Sequence, residues 1–386
     1  MAYTPMEQVR QQLISSHGNE RKAVLREIHE MLVGIETPEE TATRISLYPL
    51  QFSVTRIGQD LKIFEILTNA GPQSLQELQI LTHAHPITLA LSLTGRLLRY
   101  MSSVGLIHET GVNQFEASKK SQNLATPEAE KIVTHFFENC GPLFQEMPAF
   151  LRSKKYQDIT DGQNTVFQPA YNTDLDTNEW FSQNPLHMGA RIKYMAMEQA
   201  VRGRWLNVYP IQSQLKGWNP ELPAFVDVGG SVGHYCTMFK NNFPDVPGRV
   251  ILQDLPDTLS HALKTPGVEL MGHDFFQPQP IKGAKFYHLG WILNNWNDDE
   301  SKQILRQIRS AMNAESVVLI NDVILPEAGV PSFAASLDLV MLGACGSRER
   351  MRKEWDEILA DVGLIVKDCI VYHHELCHGI IGAKLA

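Results

Sequence analysis

Residues 225–256, FVDVGGSVGHYCTMFKNNFPDVPGRVILQDLP, are the stretch that decides the fold. An apolar run ends in Asp227, and a turn follows whose glycines are Gly229, Gly230 and Gly233. Glycines at such a turn let the backbone approach a ligand closely. One glycine loop is weak evidence alone, but a helix-like segment and a second apolar run follow at once. The stretch therefore predicts half of a nucleotide-cofactor site.

Two further apolar runs end in acidic residues. The second ends in Asp254 and Leu255, about 20 residues beyond the loop, where a carboxylate accepts hydrogen bonds from ribose hydroxyls. The third ends in Asp274 and Phe275, a carboxylate beside an aromatic ring that can flank adenine. Each acid alone is compatible with a helix N-cap or a turn. As an ordered set at the ends of successive strands, the acids predict a cofactor site on one rim of a sheet.

From residue 222 onward, apolar β-rich runs alternate with helix-like stretches. The runs are AFVDVGG, RVILQDL, VELMGHDF, KFYHLGW and SVVLINDVIL, and DCIVYHH and HGIIGAKL close the pattern as a hairpin. The alternation predicts βαβ units and a parallel sheet covered by helices on both faces. The predicted fold class is therefore α/β, with a Rossmann-like domain over residues 216–386.

The N-terminal part has a helical pattern. Residues 1–40 carry apolar residues at helical spacing, which predicts an arm that packs on a second copy of the chain or on its own C-terminal domain. Residues 58–120 predict three helices and a hairpin around Gly111, which is a winged-helix arrangement. We assign residues 1–125 to this arm and winged helix, and expect a homodimer through the N-terminal helices.

Charge favours a structural winged helix over a DNA-binding one. The 386-residue chain has a net charge of −9, and the third helix of the module offers only Arg96 and Arg99 as cations, whereas phosphate binding needs clustered Lys and Arg. No window has the ~18 apolar residues of a membrane span, and the N-terminus is polar. The five cysteines show no CxxC spacing. We expect a cytoplasmic protein with reduced thiols, no metal site, and no nucleic-acid or membrane partner.

The segments DVGGSVGHYC, FPDVPGRVILQDLP, GHDFF, YHLGWILNNWNDDESKQIL and INDVILPE occur in this order. The set resembles the caffeate-type, S-adenosylmethionine-dependent O-methyltransferases of plants and fungi over nearly the whole chain. The resemblance implies a C-terminal class I methyltransferase domain, an N-terminal helical and winged-helix dimerisation domain, and bound S-adenosylmethionine. The residues it implies at the cofactor are Asp227, Gly229, Gly230, Gly233, Asp254, Leu255, Asp274 and Phe275.

The catalytic segment departs from that family. There, the segment matching ILNNW reads roughly ILHDW, and its histidine is the general base that removes the acceptor proton. This chain has Asn294 at that position, followed by Asn295. A carboxamide cannot act as a general base near neutral pH. The acids that flank the family's histidine match Asp322 and Glu354, so the resemblance implies that the acidic neighbours remain without the base.

Three functions are compatible with this exchange. The first is methyl transfer with a substitute base, for which the candidates are His135, His234, His273 and His288. The second is a pericyclase that binds S-adenosylmethionine without methyl transfer, because the chain also resembles the fungal O-methyltransferase-like pericyclases of the leporin-pathway type. The third is an inactive partner subunit that binds S-adenosylmethionine.

The pericyclase resemblance implies a polyketide or pyridone-type substrate. Its alcohol is dehydrated to a quinone methide, which closes by a hetero-Diels–Alder, Diels–Alder or Alder-ene reaction. That group's helix histidine matches His135, in KIVTHFFENCGPLF, whereas the leporin-type enzymes carry a charged pair in place of Asn294 and Asn295.

The middle of the chain is expected to form the substrate pocket. Residues 126–215 have a mostly helical pattern with a loop-rich interruption at 153–180, and such a loop often shapes a pocket. On the helix that lines the family's acceptor pocket, we expect Arg191, Met195 and Met197 to face the substrate. The methionines suit a pliable apolar wall, although ordinary core packing explains them equally well.

Overall fold

The computed structural model describes residues 18–82 and 91–386. The chain divides into two compact units, Met1–Glu130 and Lys131–Ala386. Within the described ranges, no helix is long and apolar enough to cross a membrane. The division into three parts at residues 125 and 215 stays a prediction.

The first unit combines helices with a small antiparallel sheet. Its helices are α1 (Gly18–Ile35), α2 (Pro38–Asp60), α3 (Ile63–Ala70), α4 (Leu75–Leu81), α5 (Leu91–Ser103) and α6 (Lys119–Leu124), and its strands are β1 (Gln73–Ser74), β2 (Ile107–Gly111) and β3 (Gln114–Ala117). The strand order is β1-β3-β2. The predicted sequence of three helices and a hairpin is therefore present in α3–α5 and β2–β3.

A capping box fixes the start of α4. The Ser74 hydroxyl accepts a hydrogen bond from the Glu77 amide, and the Glu77 carboxylate accepts one from the Ser74 amide at 2.7 Å. This arrangement satisfies amides that have no partner inside the helix. It follows from a four-residue pattern and needs no long-range contact.

The first predicted helix of the module is interrupted. The sequence pattern predicts one helix ending at Gly71, but α2 ends at Asp60 and α3 begins at Ile63, with Lys62 between them at φ 55. The Phe64 ring fills the space beside Gly58, where an added Cβ would lie 2.7 Å from it. The break lets Phe64 enter the core of this unit, so tertiary packing overrides local helix propensity.

The arm helices expose apolar side chains. On α1, Val24 is buried, whereas Met31 and Ile35 are 70% and 81% exposed. On α2, Ile45 and Leu50 are also exposed. The rest of the predicted arm, residues 1–17, lies outside the described residues. Apolar faces of this kind are typical of protein interfaces.

The second unit has a helical first half and a sheet in its second half. Helix α7 (Pro127–His135) begins in the last residues of the first unit and ends in the second. The helical half also contains a π-helical turn (Phe136–Cys140), α8 (Gly141–Ser153), α9 (Phe167–Tyr171), α10 (Thr177–Gln183), α11 (Pro185–Arg202), α12 (Trp205–Val208) and α13 (Ile211–Gln214). The strands are β4 (Pro223–Val228), β5 (Arg249–Asp254), β6 (Val268–Gly272), β7 (Phe286–Gly290), β8 (Val317–Leu325), β9 (Arg350–Met351), β10 (Leu364–His373) and β11 (His378–Leu385). Between them lie α14 (His234–Asn242), α15 (Pro256–Leu259), a 3-10 turn (Leu293–Asn295), α16 (Asp298–Arg309), α17 (Ser332–Cys345) and α18 (Arg352–Asp361).

The sheet has the order β10-β11-β8-β7-β4-β5-β6, and β9 pairs with β8. Strands β4 to β8 pair in parallel, whereas β11 pairs antiparallel with β8 and with β10. The predicted α/β class and closing hairpin are confirmed. The chain leaves β4 for β5 and β6 on one side and then returns to β7 and β8 on the other. Ligands of α/β proteins bind at such a reversal, outside the carboxyl ends of the strands.

Candidate active site

The glycine loop after β4 is folded for close approach of a ligand. Gly229 and Gly233 have φ values of 70 and 90, which side-chain-bearing residues rarely adopt. Gly230 has no room for a side chain, because an added Cβ would lie 2.4 Å from the Asp227 carboxylate. The loop leads directly into α14, whose first amides have no partner within the helix. The loop can therefore hold either a phosphate group or the part of a nucleoside cofactor that carries no phosphate.

Asp254, at the end of β5, closes the loop from the neighbouring strand. Its two carboxylate oxygens accept hydrogen bonds from the Ser231 and Leu255 amides, both at 2.8 Å. Each oxygen keeps a second lone pair that can accept a hydrogen bond from a ribose hydroxyl. Leu255 is 54% exposed, so it offers an apolar surface next to this carboxylate.

Asp274 and Phe275 follow β6 on the same edge of the sheet. The Asp274 carboxylate accepts a hydrogen bond from the Phe276 amide at 2.9 Å. The Phe275 ring lies 3.2 Å from the position that a Cβ on Gly229 would take, so it flanks the glycine loop. The structure thus brings the loop, Asp254 and Phe275 together, as a cofactor with an adenosine group requires.

Asp227 lies beneath the loop and not in the cofactor site. It is fully buried, and its carboxylate is 2.7 Å from the His288 ring nitrogen Nδ1 and 3.8 Å from the Cys236 thiol. This enclosure corrects the expectation that Asp227 contacts the cofactor. Its role is to support the glycine loop from below.

A cavity opens beside the 3-10 turn that carries the two asparagines. About 800 Å³ of space lies between its atoms, part of it open to solvent. Elements α7, α11 and α17 and the segment after β7 form its walls. Its polar lining includes His135, Asn139, Arg191, Arg202, Asn294 and Asn295, and its apolar lining includes Leu337, Val340 and Met341.

Asn294 is held at the cavity wall by its neighbours. It is 5% exposed, and its backbone amide donates to the Asp322 carboxylate at 3.2 Å. Its side-chain nitrogen lies 3.5 Å from a Glu349 oxygen, and the Asn295 side-chain amide donates to its oxygen at 3.2 Å. The expected base position therefore presents hydrogen-bond donors and acceptors and no basic group.

Two buried carboxyl groups lie behind Asn294. Asp322 in β8 is 1% exposed, and Glu349 before β9 is 3% exposed. Burial raises the pKa of Asp322 to about 7. Burial, followed by the negative charge of Asp322, raises the pKa of Glu349 well above its usual range. We infer that the pair keeps a proton near neutral pH, because two charged carboxylates at such a site repel each other.

Glu354 is not beside Asn294, contrary to the sequence assignment. It lies in the first turn of α18, where its carboxylate accepts a hydrogen bond from the Met351 amide at 2.8 Å and pairs with Arg348 at 2.7 Å. Glu349 occupies the position next to Asn294. The correction follows from helix capping, because an acid in the first turn is held by the free amides there.

The raised pKa of Asp322 predicts how stability depends on pH. The folded protein keeps this proton up to about pH 7, whereas an unfolded aspartate loses it near pH ~3.9. The contribution to stability is therefore full below pH ~4 and is lost as the pH rises through about 7. We expect the urea midpoint of the wild type to fall between about pH 4.5 and about pH 7.5, and to fall less in Asp322→Asn.

The control for this measurement is Asp356→Asn, at an exposed site on α18. It should keep the pH dependence of the wild type. An equal fall of the urea midpoint in Asp322→Asn and in the wild type would show that Asp322 does not hold the proton.

His135 ends α7 and is fixed by Asn139 in the π-helical turn. The Asn139 amide nitrogen lies 3.1 Å from His135 Nδ1 and also donates to the His187 backbone oxygen at 3.1 Å. The Asn139 side-chain oxygen is 2.8 Å from His187 Nδ1. The His187 backbone carbonyl can only accept a hydrogen bond, so the group of Asn139 that faces it must be the amide nitrogen. The same nitrogen donates to His135 Nδ1, which must then be unprotonated. The His135 ring therefore carries its proton on Nε2.

The surroundings of His135 also favour the neutral ring. The imidazole stacks on the Tyr194 ring with centroids 4.5 Å apart. Burial, together with the positive charge of Arg191, lowers the pKa of His135 to about 4. At neutral pH it is an uncharged hydrogen-bond donor at the cavity wall. Asn139 was not identified from the sequence, because nothing in the local pattern announces a π-helical turn, a feature frequently found at functional sites.

The other histidines considered as bases do not line this cavity. His288 is fully buried and bonds to Asp227, and burial lowers the pKa of His234 and of His273. Among the expected pocket residues, Arg191 and Met195 line the cavity, whereas Met197 does not. Arg202 lines the cavity as well, although no sequence motif singles it out.

Comparison with known proteins adds to this geometry. A family model described as an O-methyltransferase domain matches residues 190–365. The demethylsterigmatocystin 6-O-methyltransferase of Aspergillus parasiticus is 39% identical over 354 residues, which cover 91% of this chain and 90% of that protein. Solved structures described as a pericyclic reaction enzyme and as LepI in complex with SAM each have a TM-score of 0.84 and 34% identity, and cover 99% of this chain and 98% of theirs.

Proposed function

The chain belongs to the O-methyltransferase family, and we propose that it works as a pericyclase on that scaffold. It binds S-adenosylmethionine. In the proposed reaction it dehydrates a pyridone-type alcohol, promotes pericyclic closure of the resulting quinone methide, or does both, without methyl transfer. The observation that carries the proposal is Asn294, a carboxamide at the position of the family's general base.

The cofactor site of this chain fits S-adenosylmethionine. The backbone of Gly229 and Gly233 would hold the methionine part, Asp254 the ribose, and Leu255 and Phe275 the adenine. The positive φ values of the two glycines, the free lone pairs of Asp254 and the exposure of Leu255 are what such a ligand needs. When bound, the cofactor supplies an electrophilic methyl group in this family, together with a fixed positive charge.

Dehydration needs a proton for the departing hydroxyl group. The step breaks one C–O bond and one ring O–H bond, forms a ring carbonyl and an exocyclic double bond, and releases water. The Asp322–Glu349 pair holds a proton near neutral pH, and Asn294 lies between that pair and the cavity. We assign proton delivery to this acid pair. The ring-hydroxyl proton leaves for solvent, and the pair is reprotonated from solvent.

Ring closure is assisted by hydrogen bonds to the ring carbonyl. His135 Nε2 and the Asn294 amide are uncharged donors at the cavity wall. Donors aimed at a carbonyl in a dry site lower the barrier where charge develops, by about 3 kcal/mol each. The cavity walls also hold the flexible part of the substrate in a reactive conformation, and this orientation lowers the barrier further. The similarity to a structure described as a pericyclic reaction enzyme supports this assignment.

Methyl transfer with His135 as a substitute base is the second candidate. The 39% identity to a named O-methyltransferase favours it, and His135 lines the cavity. The Nε2 proton of His135 weighs against it, because that nitrogen must be free to accept a proton from the acceptor hydroxyl.

The arm helices further suggest that the active form is a homodimer, since Met31 and Ile35 are left exposed.

Mass spectrometry separates the two candidates. The purified enzyme is incubated with S-adenosylmethionine and a candidate pyridone alcohol, and products and cofactor are weighed together. A product lighter by one water, with the cofactor unconverted, supports the pericyclase. A product heavier by one methyl group, with stoichiometric S-adenosylhomocysteine, overturns it.

A further inference from the structure

Arg202, at the end of α11, is a buried cation without a polar partner. It is 8% exposed and lines the cavity, and its Nε has no hydrogen-bond partner. Among the described residues, its guanidinium forms no ion pair or hydrogen bond; it lies over the Trp291 ring, 3.7 Å from the centroid. Leaving a guanidinium buried and unpaired costs folding free energy unless a ligand compensates it.

The backbone of Trp291, the ring partner of Arg202, is strained. Trp291 has φ 60, which is rare for a bulky residue, and its amide donates to the Asn321 backbone oxygen at 2.9 Å. Strain of this kind persists at functional sites, where the surroundings enforce it. The indole therefore serves as a platform that orients the flat face of Arg202 beside the cavity.

Arg191 provides a second guanidinium to the same cavity. Its contacts are neutral: it lies over the Phe181 ring at 4.9 Å, and it donates to the Asn178 side-chain oxygen at 3.3 Å. Among the described residues it forms no ion pair with an acid. Burial lowers the pKa of Arg191, as expected for a cation whose positive charge is not compensated by a neighbouring acid.

The acids around these cations are biased towards their neutral forms. Burial raises the pKa of Glu198, one helical turn before Arg202, although the charge of Arg202 opposes this. Burial raises the pKa of Asp322 to about 7, and burial with the charge of Asp322 holds the pKa of Glu349 well above its usual range. His135 is neutral, and burial keeps the thiol of Cys345 protonated. Among the described residues, the cavity lining includes two guanidinium groups and no carboxylate.

We infer that the cavity binds its substrate as an oxyanion, that is, with an acidic ring hydroxyl or enol already deprotonated, and that Arg202 is the principal counter-charge. The inference rests on the proposed function and names the substrate class for it. Guanidinium presents parallel N–H donors that suit a delocalised oxygen anion. The apolar lining of Leu337, Val340 and Met341 favours an aromatic or enolic ring over a phosphate.

Binding the anion also prepares dehydration. The ring-hydroxyl proton leaves for solvent on binding, so it need not be removed later. An electron pair of the oxyanion then forms the ring carbonyl as the C–O bond of the leaving group breaks. The departing hydroxide takes the proton of the acid pair and leaves as water, and the pair is reprotonated from solvent.

The test uses a ligand that cannot react. A 4-hydroxy-2-pyridone without the leaving alcohol, and its 4-methyl ether, are titrated into the S-adenosylmethionine-loaded protein below the solution pKa of the hydroxyl group. We expect the bound pyridone to show the ultraviolet spectrum of its anion, and to bind about tenfold or more tightly than the ether. Arg202→Leu should abolish both differences, and Arg191→Leu should reduce them. Arg204→Leu, at an exposed site two residues further on, should leave them unchanged.

A neutral spectrum with equal affinities for the two ligands would overturn the inference. This comparison in the wild type needs no variant, so it holds even where Arg202→Leu fails to fold. This outcome does not depend on the reaction type. If the enzyme binds the anion but transfers a methyl group, only the proposed pericyclase function is refuted. If the enzyme dehydrates its substrate but binds the pyridone in its neutral form, only the oxyanion inference is refuted.

Discussion

His135→Phe is expected to slow conversion of the alcohol to the cyclised product about a hundredfold or more, the usual cost of removing one donor that stabilises developing charge. The phenyl ring keeps the stacking on Tyr194 and removes only the Nε2 donor. Because the residues proposed to hold S-adenosylmethionine follow β4, β5 and β6 and none of them lies on α7, affinity for the cofactor should stay unchanged. The measurements are kcat for product formation and the Kd of the cofactor.

Two further variants show whether the donor is the cause. Asn139→Leu removes the group that fixes the Nε2 tautomer, so it should lower kcat less than His135→Phe does. His108→Phe, at an exposed histidine of the first unit, should have wild-type kcat. Wild-type turnover in His135→Phe would remove His135 from the mechanism and leave Asn294 as the donor.

The double change Asn294→His with Asn295→Asp is expected to introduce methyl transfer. The Asn294 side chain already points its nitrogen at Glu349, 3.5 Å away, and an imidazole there would have an acid to orient it and raise its basicity. Cyclisation should decline at the same time, because the amide donor is lost. Methylated product and S-adenosylhomocysteine, quantified by mass spectrometry in equal amounts, would establish the change.

Asn294→Ala is the matched variant, since it removes the carboxamide without adding a base. It should form no methylated product. A double variant that folds, binds the cofactor and still transfers no methyl group would show that the missing base is not the difference, and that the acceptor hydroxyl is placed out of reach.

The parts of this protein that could be predicted are those encoded by short patterns. The turn at Gly229 and Gly233, the carboxylate of Asp254 and the capping box at Ser74 each depend on residues close together in the chain. The alternation of apolar runs was enough for the parallel sheet, because its central strands β4, β7 and β8 are buried on both faces.

The parts that could not be predicted depend on long-range packing. Glu349 and Glu354 lie in the same short stretch, and only the start of α18 decides which of them faces Asn294. In the sequence Arg202 is an ordinary basic residue at a helix end, and only the structure shows that it packs on the Trp291 ring. Asp227 has the expected position in the pattern, but His288 encloses it.

The π-helical turn at Phe136–Cys140 has a consequence for how this cavity can diverge between related enzymes. Such a turn holds one residue more than an α-helical turn, which is the arrangement expected when one residue is inserted into an α-helix. Deleting that residue would rotate everything before it by about 100° relative to α8 and swing the imidazole of His135 off its wall. Gain or loss of a single codon here would thus alter the chemistry of the cavity more than most substitutions, and relatives should be aligned across this turn with a gap allowed.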